Sequence, residues 1–423
     1  MSKSMLVDVF EQYESEVRSY CRAFPTVFTK AKGAYIEAQD GRRYLDFFAG
    51  AGALNYGHNP DSIKHKLIEY LQNDGILHGL DMYTDAKGAF LKALQERILI
   101  PRQLDYRVQF CGPTGTNAVE AALKLARKVT GRRNVFTFQG GFHGMTLGSL
   151  ACTGNSYNRA AAGTSLPDVT FMPYPFGAMK NIDTIAYIEA VLSDSASGVD
   201  KPAAMILETV QAEGGVVVAP VEWLQKIRAL CDKHDILLIV DDIQIGCGRT
   251  GGFFSFERAN IKPDIVTLSK SISGSGLPLA IVLLKPEFDK WQPGEHNGTF
   301  RGNQLAFVSA TAGLELWDSL NIPAQVETKS AILQKELSSI AERLDPRIEL
   351  RGLGMIWGLD LTPLKEPTLI DQVTTKCFEE GLIIENAGRK GQVLKFLPPL
   401  TVTETELREG IDIVEHALLK VLK

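Results

Sequence analysis

The chain has 423 residues, 45% hydrophobic and 22% charged, with a formal net charge of -5; this is ordinary globular material, long enough for two or three domains. Such mild acidity argues against nucleic acid or an acidic membrane as partner, no run approaches eighteen apolar residues, and the N-terminal MSKSMLVDVFEQYESE carries acids where a signal peptide would be apolar. Six cysteines, at 21, 111, 152, 231, 247 and 377, show no CxxC pair and no neighbouring His cluster, so the expectation is reduced thiols in a cytoplasmic protein with no metal site.

Residues 1 to 59 read as an arm followed by a small antiparallel unit. Segments 34–38 and 42–48 flank Gln39-Asp40-Gly41, and Asp-Gly between alternating segments predicts a hairpin. The following FFAGAGALNYGHNP is rich in Gly and Ala and lets backbone approach a ligand closely. Helical periodicity begins near Pro60 and Asp61 and continues through Leu67, Ile68 and Leu71; a second helix is expected over 85–98. At 108–128, VQFCGPTGTNAVEAALKLARK predicts a short strand, a Gly/Thr-rich turn and a helix. Free amides at that helix N-terminus would suit a phosphate, although Thr or Asn there can equally be a cap.

A strand over 134–138 ends in QGGFHGMT. Residues 152 to 202 read as loops and one helix. A strand at 203–207 delivers Glu208, and Glu213-Gly-Gly follows. Two further apolar runs, 236–240 and 265–268, are of the length and branching that a parallel strand buried on both faces requires. The first delivers Asp241 and Asp242; the second delivers Lys270. After Lys270, SISGSGLPLA reads as a small flexible loop, GTFRGNQ at 298–304 as a Gly-flanked turn, and residues 306–316 and 324–344 as helices. GMIWGLDL and GLIIEN are strand-like, VLKFLPPL contains Lys395, and a final helix covers 404–422.

In open α/β sheets ligands gather beyond the carboxyl ends of the strands, so Asp241 and Lys270 are placed to share one site. A carboxylate facing a pyridinium nitrogen makes that ring an electron sink, and a lysine amine can hold an aldehyde cofactor as a Schiff base. Taken singly, each residue has a plainer reading: a lysine after a strand is usually a solvated charge, and acids at a strand end usually cap turns. What favours the chemical reading is the order: apolar strand, Asp, acid, apolar residue, Gln, Gly-containing loop and, about thirty residues on, Ser-Lys.

That stretch resembles the signature of the class III pyridoxal-phosphate aminotransferases, and the resemblance extends over nearly the whole chain. It implies an α/β fold of type I, with a large domain on a mostly parallel sheet (60–315) and a small α/β domain built from both termini (1–59 and 316–423). It further implies pyridoxal 5'-phosphate held by Lys270, with Asp241 on the ring nitrogen. Phe142 or His143 would stack on one ring face and Ile243 on the other, Gln244 would bond the phenolic oxygen, and Glu208 would complete the cofactor pocket. Gly115 and Thr116 would hold the phosphate, with Thr299 reaching it from the neighbouring subunit of a homodimer. Glu213 and Lys395 would form the substrate switch. Three positions depart from the family pattern: Asp242 where most members have Glu, and Met145 and Lys395 where many have Arg. These departures, with RSYCRAFPTVFTKAKGAYI, imply small amino-acid and oxo-acid substrates of the branch that interconverts 2,4-diaminobutyrate and aspartate 4-semialdehyde against glutamate and 2-oxoglutarate, as in ectoine synthesis. Ornithine, acetylornithine or 4-aminobutyrate transamination, and an aminomutase of the same fold, are the alternatives.

Overall fold

The computed structural model of the chain describes residues 9–422. An N-terminal antiparallel unit is formed by β1 (Phe28–Lys32), β2 (Tyr35–Ala38) and β3 (Arg43–Asp46). The Asp-Gly hairpin is present between β2 and β3. The additional strand β1 was not legible, because its FTKAK sequence lies on an open edge and has no apolar alternation. The helices Asp61–Gln72 and Asp85–Leu94 follow, the second continuing through a wider π turn at Gln95–Leu99.

The central sheet is assembled from β4 (Arg107–Phe110), β5 (Val135–Phe138), β6 (Val169–Met172) and β7 (Ala204–Leu207). After a two-stranded ribbon, β8 (Val210–Gln211) with β9 (Val217–Val218), it adds β10 (Leu237–Asp241), β11 (Ile265–Leu268) and β12 (Ile281–Leu284). Its spatial order is β4-β12-β11-β10-β7-β5-β6, and β12 runs antiparallel to both neighbours while the others run parallel. Residues of β5, β7, β10, β11 and β12 are buried throughout, as expected for strands covered on both faces. The helix Gly115–Thr130 covers one face through Ala118, Ala121, Ala122 and Ala126, whose small side chains bring its backbone close to the sheet, and it stops at Gly131 with φ +68°.

Two expectations need correction here. The stretch 152–202 holds not only loops and one helix but two helices, Ser156–Ala160 and Thr184–Ser193, and the edge strand β6. The loop after Lys270 is not a flexible one: Ser271, Ile272 and Ser273 are buried in a 3-10 turn, and the AIVLL run behind it becomes β12.

The C-terminal part begins with the helices Gln304–Ser319 and Ile322–Leu344, then β13 (Glu349–Leu353), β14 (Ile356–Asp360), the helix Leu369–Glu380, β15 (Leu382–Ile383), β16 (Glu385–Ala387), β17 (Val393–Phe396) and the helix Glu404–Val421. Strand β15 pairs in parallel with β3, so one sheet is made from both ends of the chain. Strands β13, β14, β17 and β16 form a separate antiparallel sheet in that order.

Candidate active site

Five sheet strands aim their carboxyl ends at one cavity of about 270 Å3. Its wall takes Thr114, Gly115 and Thr116 from the turn after β4, Phe142 and His143 from beyond β5, and Glu208 from the end of β7. Asp241, Ile243 and Gln244 come from β10, and Lys270 from the end of β11. Residues as far apart as 114 and 270 meet because a doubly wound sheet brings these strand ends into one crevice.

Lys270 Nζ is buried and donates to the Ala51 carbonyl at 2.8 Å. Burial pushes its pKa below the ordinary lysine range, against the pull of Glu213. The residue sits at φ +53°, in the left-handed region that non-glycine residues rarely occupy; such strain costs on the order of 1–3 kcal/mol and gathers at functional positions. Ala51 belongs to a similar left-handed turn with Ala49 and Gly50, and its carbonyl also accepts from Gln244 Nε2 at 3.0 Å. The sequence marked this Gly/Ala-rich tract as a close backbone approach without singling out Ala51.

Asp241 is almost fully buried. Its Oδ2 lies 2.7 Å from His143 Nδ1, and its Oδ1 accepts from Thr267 Oγ1 at 3.1 Å and from the Ile243 amide at 3.2 Å. A carboxylate only accepts, so the imidazole donates. Burial works against a charged His143, yet the hydrogen bond and charge of Asp241, with Glu208 behind, hold its pKa above the usual value. His143 is thus held to Asp241 through Nδ1, and both it and Phe142 line the cavity. Glu208 accepts from the Phe142 amide at 2.9 Å, and burial lifts its pKa to about 8. Asp242 points the other way, as strand alternation requires: its Oδ2 accepts from the Ser255 amide at 3.0 Å.

At the helix Gly115–Thr130 the capping reading fails, because Thr114 makes no side-chain cap. The Thr116 hydroxyl is engaged with Thr146 and Ser149, at 2.6 and 2.5 Å, so this turn presents backbone amides to an anion. A Cβ on Gly115 would meet Ile243 at 3.1 Å. The open amides, the glycine cradle, a buried Gln244 Oε1 with no partner among the described residues, and an acid and an amine on one cavity together fit a phosphorylated, aldehyde-bearing aromatic ring.

A family model described as aminotransferase class-III matches residues 18–418. The chain belongs to the class III aminotransferases. It is 55% identical over 416 residues to a diaminobutyrate--2-oxoglutarate transaminase of Wolinella succinogenes, covering 98% of this chain and 96% of that one. It is 54% identical to a protein of the same name from Nocardia farcinica, with 97% and 94% covered. Among solved structures, an ornithine aminotransferase from Toxoplasma gondii with partial occupancy of PLP at its active site superposes with a TM-score of 0.84 at 25% identity, over 99% of this chain and 95% of that one.

In this class III aminotransferase the remaining site residues are placed less directly. Lys395 has no exposed surface; its Nζ lies 2.6 Å from Glu213 Oε1 and 2.8 Å from Glu385 Oε1. The two acids raise its pKa, while Lys395 and Lys270 hold Glu213 below the usual carboxylate range. Burial moves Glu385 upward. Sequence reasoning missed Glu385, whose only signal is pairing register: β16 and β17 set Glu385 directly opposite Lys395. Thr299 lines a different crevice, with His78, Pro113 and Phe300, and not the Lys270 cavity of its own chain. Met145 is half exposed at the cavity lip.

Proposed function

We propose that this aminotransferase moves the 4-amino group of L-2,4-diaminobutyrate to 2-oxoglutarate, giving L-aspartate 4-semialdehyde and L-glutamate, with pyridoxal 5'-phosphate as cofactor. The observation that carries the reading is identity above half, over nearly the whole chain, to proteins named for that reaction, joined to a cavity holding both Lys270 and Asp241. When bound, the cofactor supplies an electron sink for cleavage of the substrate's C–H bond.

The chain's own residues do the rest. Lys270 Nζ would hold the cofactor's aldehyde group and, when free, is the amine placed to take a proton from the substrate's amine-bearing carbon and to return one. Asp241, oriented by His143 and Thr267, would face the ring nitrogen. Gln244 would bond the ring oxygen, Phe142 and Ile243 would bracket the ring, and the amides of Gly115 and Thr116 would take the phosphate. Glu208 closes the pocket behind Phe142. Glu213 shields Lys395 when the bound substrate has no carboxylate on its reacting carbon.

We also infer a homodimer in which Thr299 reaches the partner's phosphate. In support, Thr299 lines a crevice other than the Lys270 cavity, together with the exposed apolar side chains Leu77, Leu80 and Phe300, and exposed apolar patches mark association surfaces. The small unit of the chain would comprise 1–59 and the part after the helix Gln304–Ser319, a helix that runs through the expected cut at 315.

The test is a coupled assay with glutamate and aspartate 4-semialdehyde, run beside glutamate semialdehyde and succinate semialdehyde. Preference for the aspartate compound supports the reading. Preference for either other acceptor overturns the substrate, and turnover without consumption of 2-oxoglutarate in the reverse direction would indicate an aminomutase. Sedimentation of the intact protein as a monomer would overturn the dimer.

A further inference from the structure

The two amino donors of the proposed reaction share one feature. In 2,4-diaminobutyrate the reacting carbon is C4 and the carboxylate is C1; in glutamate they are C2 and C5. Both place a carboxylate three bonds from the reacting carbon, so one cation at that distance serves both halves of the cycle. Three side chains in or beside the site do not supply it. Met145 is neutral, Lys395 is held between two acids, and Arg301 is paired with Asp81 at 2.8 Å in the crevice of Thr299.

A second cleft, of about 800 Å3, shares Phe142 and Glu213 with the cofactor cavity and opens to solvent. Arg159, Arg389 and Lys390 stand on its wall. Arg159 is committed to the fold, its Nη1 donating to the carbonyls of Leu150, Ala151 and Thr153 at 2.9–3.1 Å. Arg389 differs. Among the described residues its one hydrogen bond is from Nη2 to the Gln139 carbonyl at 3.2 Å, it lies 5.8 Å from the Phe176 ring centroid, and no carboxylate pairs with it.

Its position is built. Gly140, at φ +86°, leaves the space a Cβ would fill, 3.0 Å from Arg389 Nη2, and the buried Oε1 of Gln211, without a partner among the described residues, closes on the same point. Gly388, immediately before Arg389, donates its amide to the Glu213 carbonyl at 2.9 Å. The arginine loop is therefore fastened to the backbone of the switch acid.

We propose that Arg389 binds the carboxylate remote from the reacting carbon in both substrates, a role that rests on the transamination reading above. A planar guanidinium with only Nη2 engaged suits a carboxylate better than an ammonium does. Glutamate's other carboxylate, on the reacting carbon, is then the one that meets Lys395 in place of Glu213.

The experiment compares purified wild type, Arg389→Met and Arg389→Lys, each loaded with cofactor, in single turnovers with diaminobutyrate, glutamate and 1,3-diaminopropane, which is diaminobutyrate without its carboxylate. Loss of one charge-assisted contact predicts a fall of about 10- to 100-fold in kcat/KM for diaminobutyrate and glutamate in Arg389→Met. Arg389→Lys falls between, and 1,3-diaminopropane stays within about twofold of wild type. The bound cofactor's visible spectrum stays unchanged. Equal losses on all three amines, or none on glutamate, overturn the proposal. Failure of wild type to use diaminobutyrate overturns the functional reading alone, since the glutamate rates still decide Arg389.

Discussion

Lys270 combines two costs, a left-handed backbone and a desolvated amine, that a structural lysine would not retain. Its replacement by Ala is expected to leave the fold intact, to abolish the visible absorption of covalently held cofactor, and to lower turnover at least about a thousandfold; absorbance and rate of the purified variant check this. Asp242, on the opposite face of β10, carries a different consequence. Burial lifts its pKa from 3.8 to about 7, with the Ser255 contacts opposing. The folded state therefore binds the proton more tightly than the unfolded one. The stability from this group is present below about pH 4 and is lost as pH rises through about 7, by up to roughly 4 kcal/mol. Asp242→Asn is expected to flatten the decline in Tm between those pH values. An unchanged slope would assign the pH dependence to Glu208, which titrates in the same direction.

Among the elements, the helix Gly115–Thr130 serves both packing and binding. Its alanine face seats it against the sheet, while its uncapped first turn points at the cavity. Gly115→Val places a branched side chain against Ile243, already 3.1 Å from where a Cβ would sit, and between the amides and any anion. Affinity for pyridoxal phosphate is expected to weaken by about tenfold or more, consistent with loss of one or two charge-assisted amide contacts; titration of the cofactor-free protein measures it. The ribbon of β16 and β17 has the same double character, since its register alone presents Glu385 to Lys395.

At the scale of the whole molecule, one side chain joins parts of the chain that lie far apart in sequence. Arg249 is fully buried and donates to Asn55 Oδ1 at 2.6 Å, to the Met355 carbonyl at 3.0 Å and to the Pro398 carbonyl at 2.5 Å. Burial depresses its pKa to about 9. It fastens the segment after β10 to the N-terminal loop and to the C-terminal sheet around the site. Arg249→Met would leave three buried acceptors without donors, each worth about 1–3 kcal/mol. A loss of roughly 3 kcal/mol or more is expected in denaturant unfolding, and a loss under 1 kcal/mol would refute the staple.

The sequence by itself determined the strands whose ends line the candidate site. Runs such as 236–240 and 265–268 are apolar on both faces, so length and branching reveal them, and the acid or lysine at each end then falls at a strand terminus whatever the rest of the chain does. Asp241 and Lys270 were legible for that reason, and so was the turn at Gly115. Strand β12 was missed because the Gly/Ser-rich stretch before it was read as a loop, and β6 because its four residues lie within a Gly- and Pro-rich region. Other features had no local signal at all. The pairing of Glu385 with Lys395 depends on strand register, the contact of His143 with Asp241 on the packing of two strand ends, and the place of Arg389 on a backbone bond between Gly388 and Glu213. Local pattern is set by what one segment must bury; which charges face one another is set by how segments meet, and only the tertiary structure decides that.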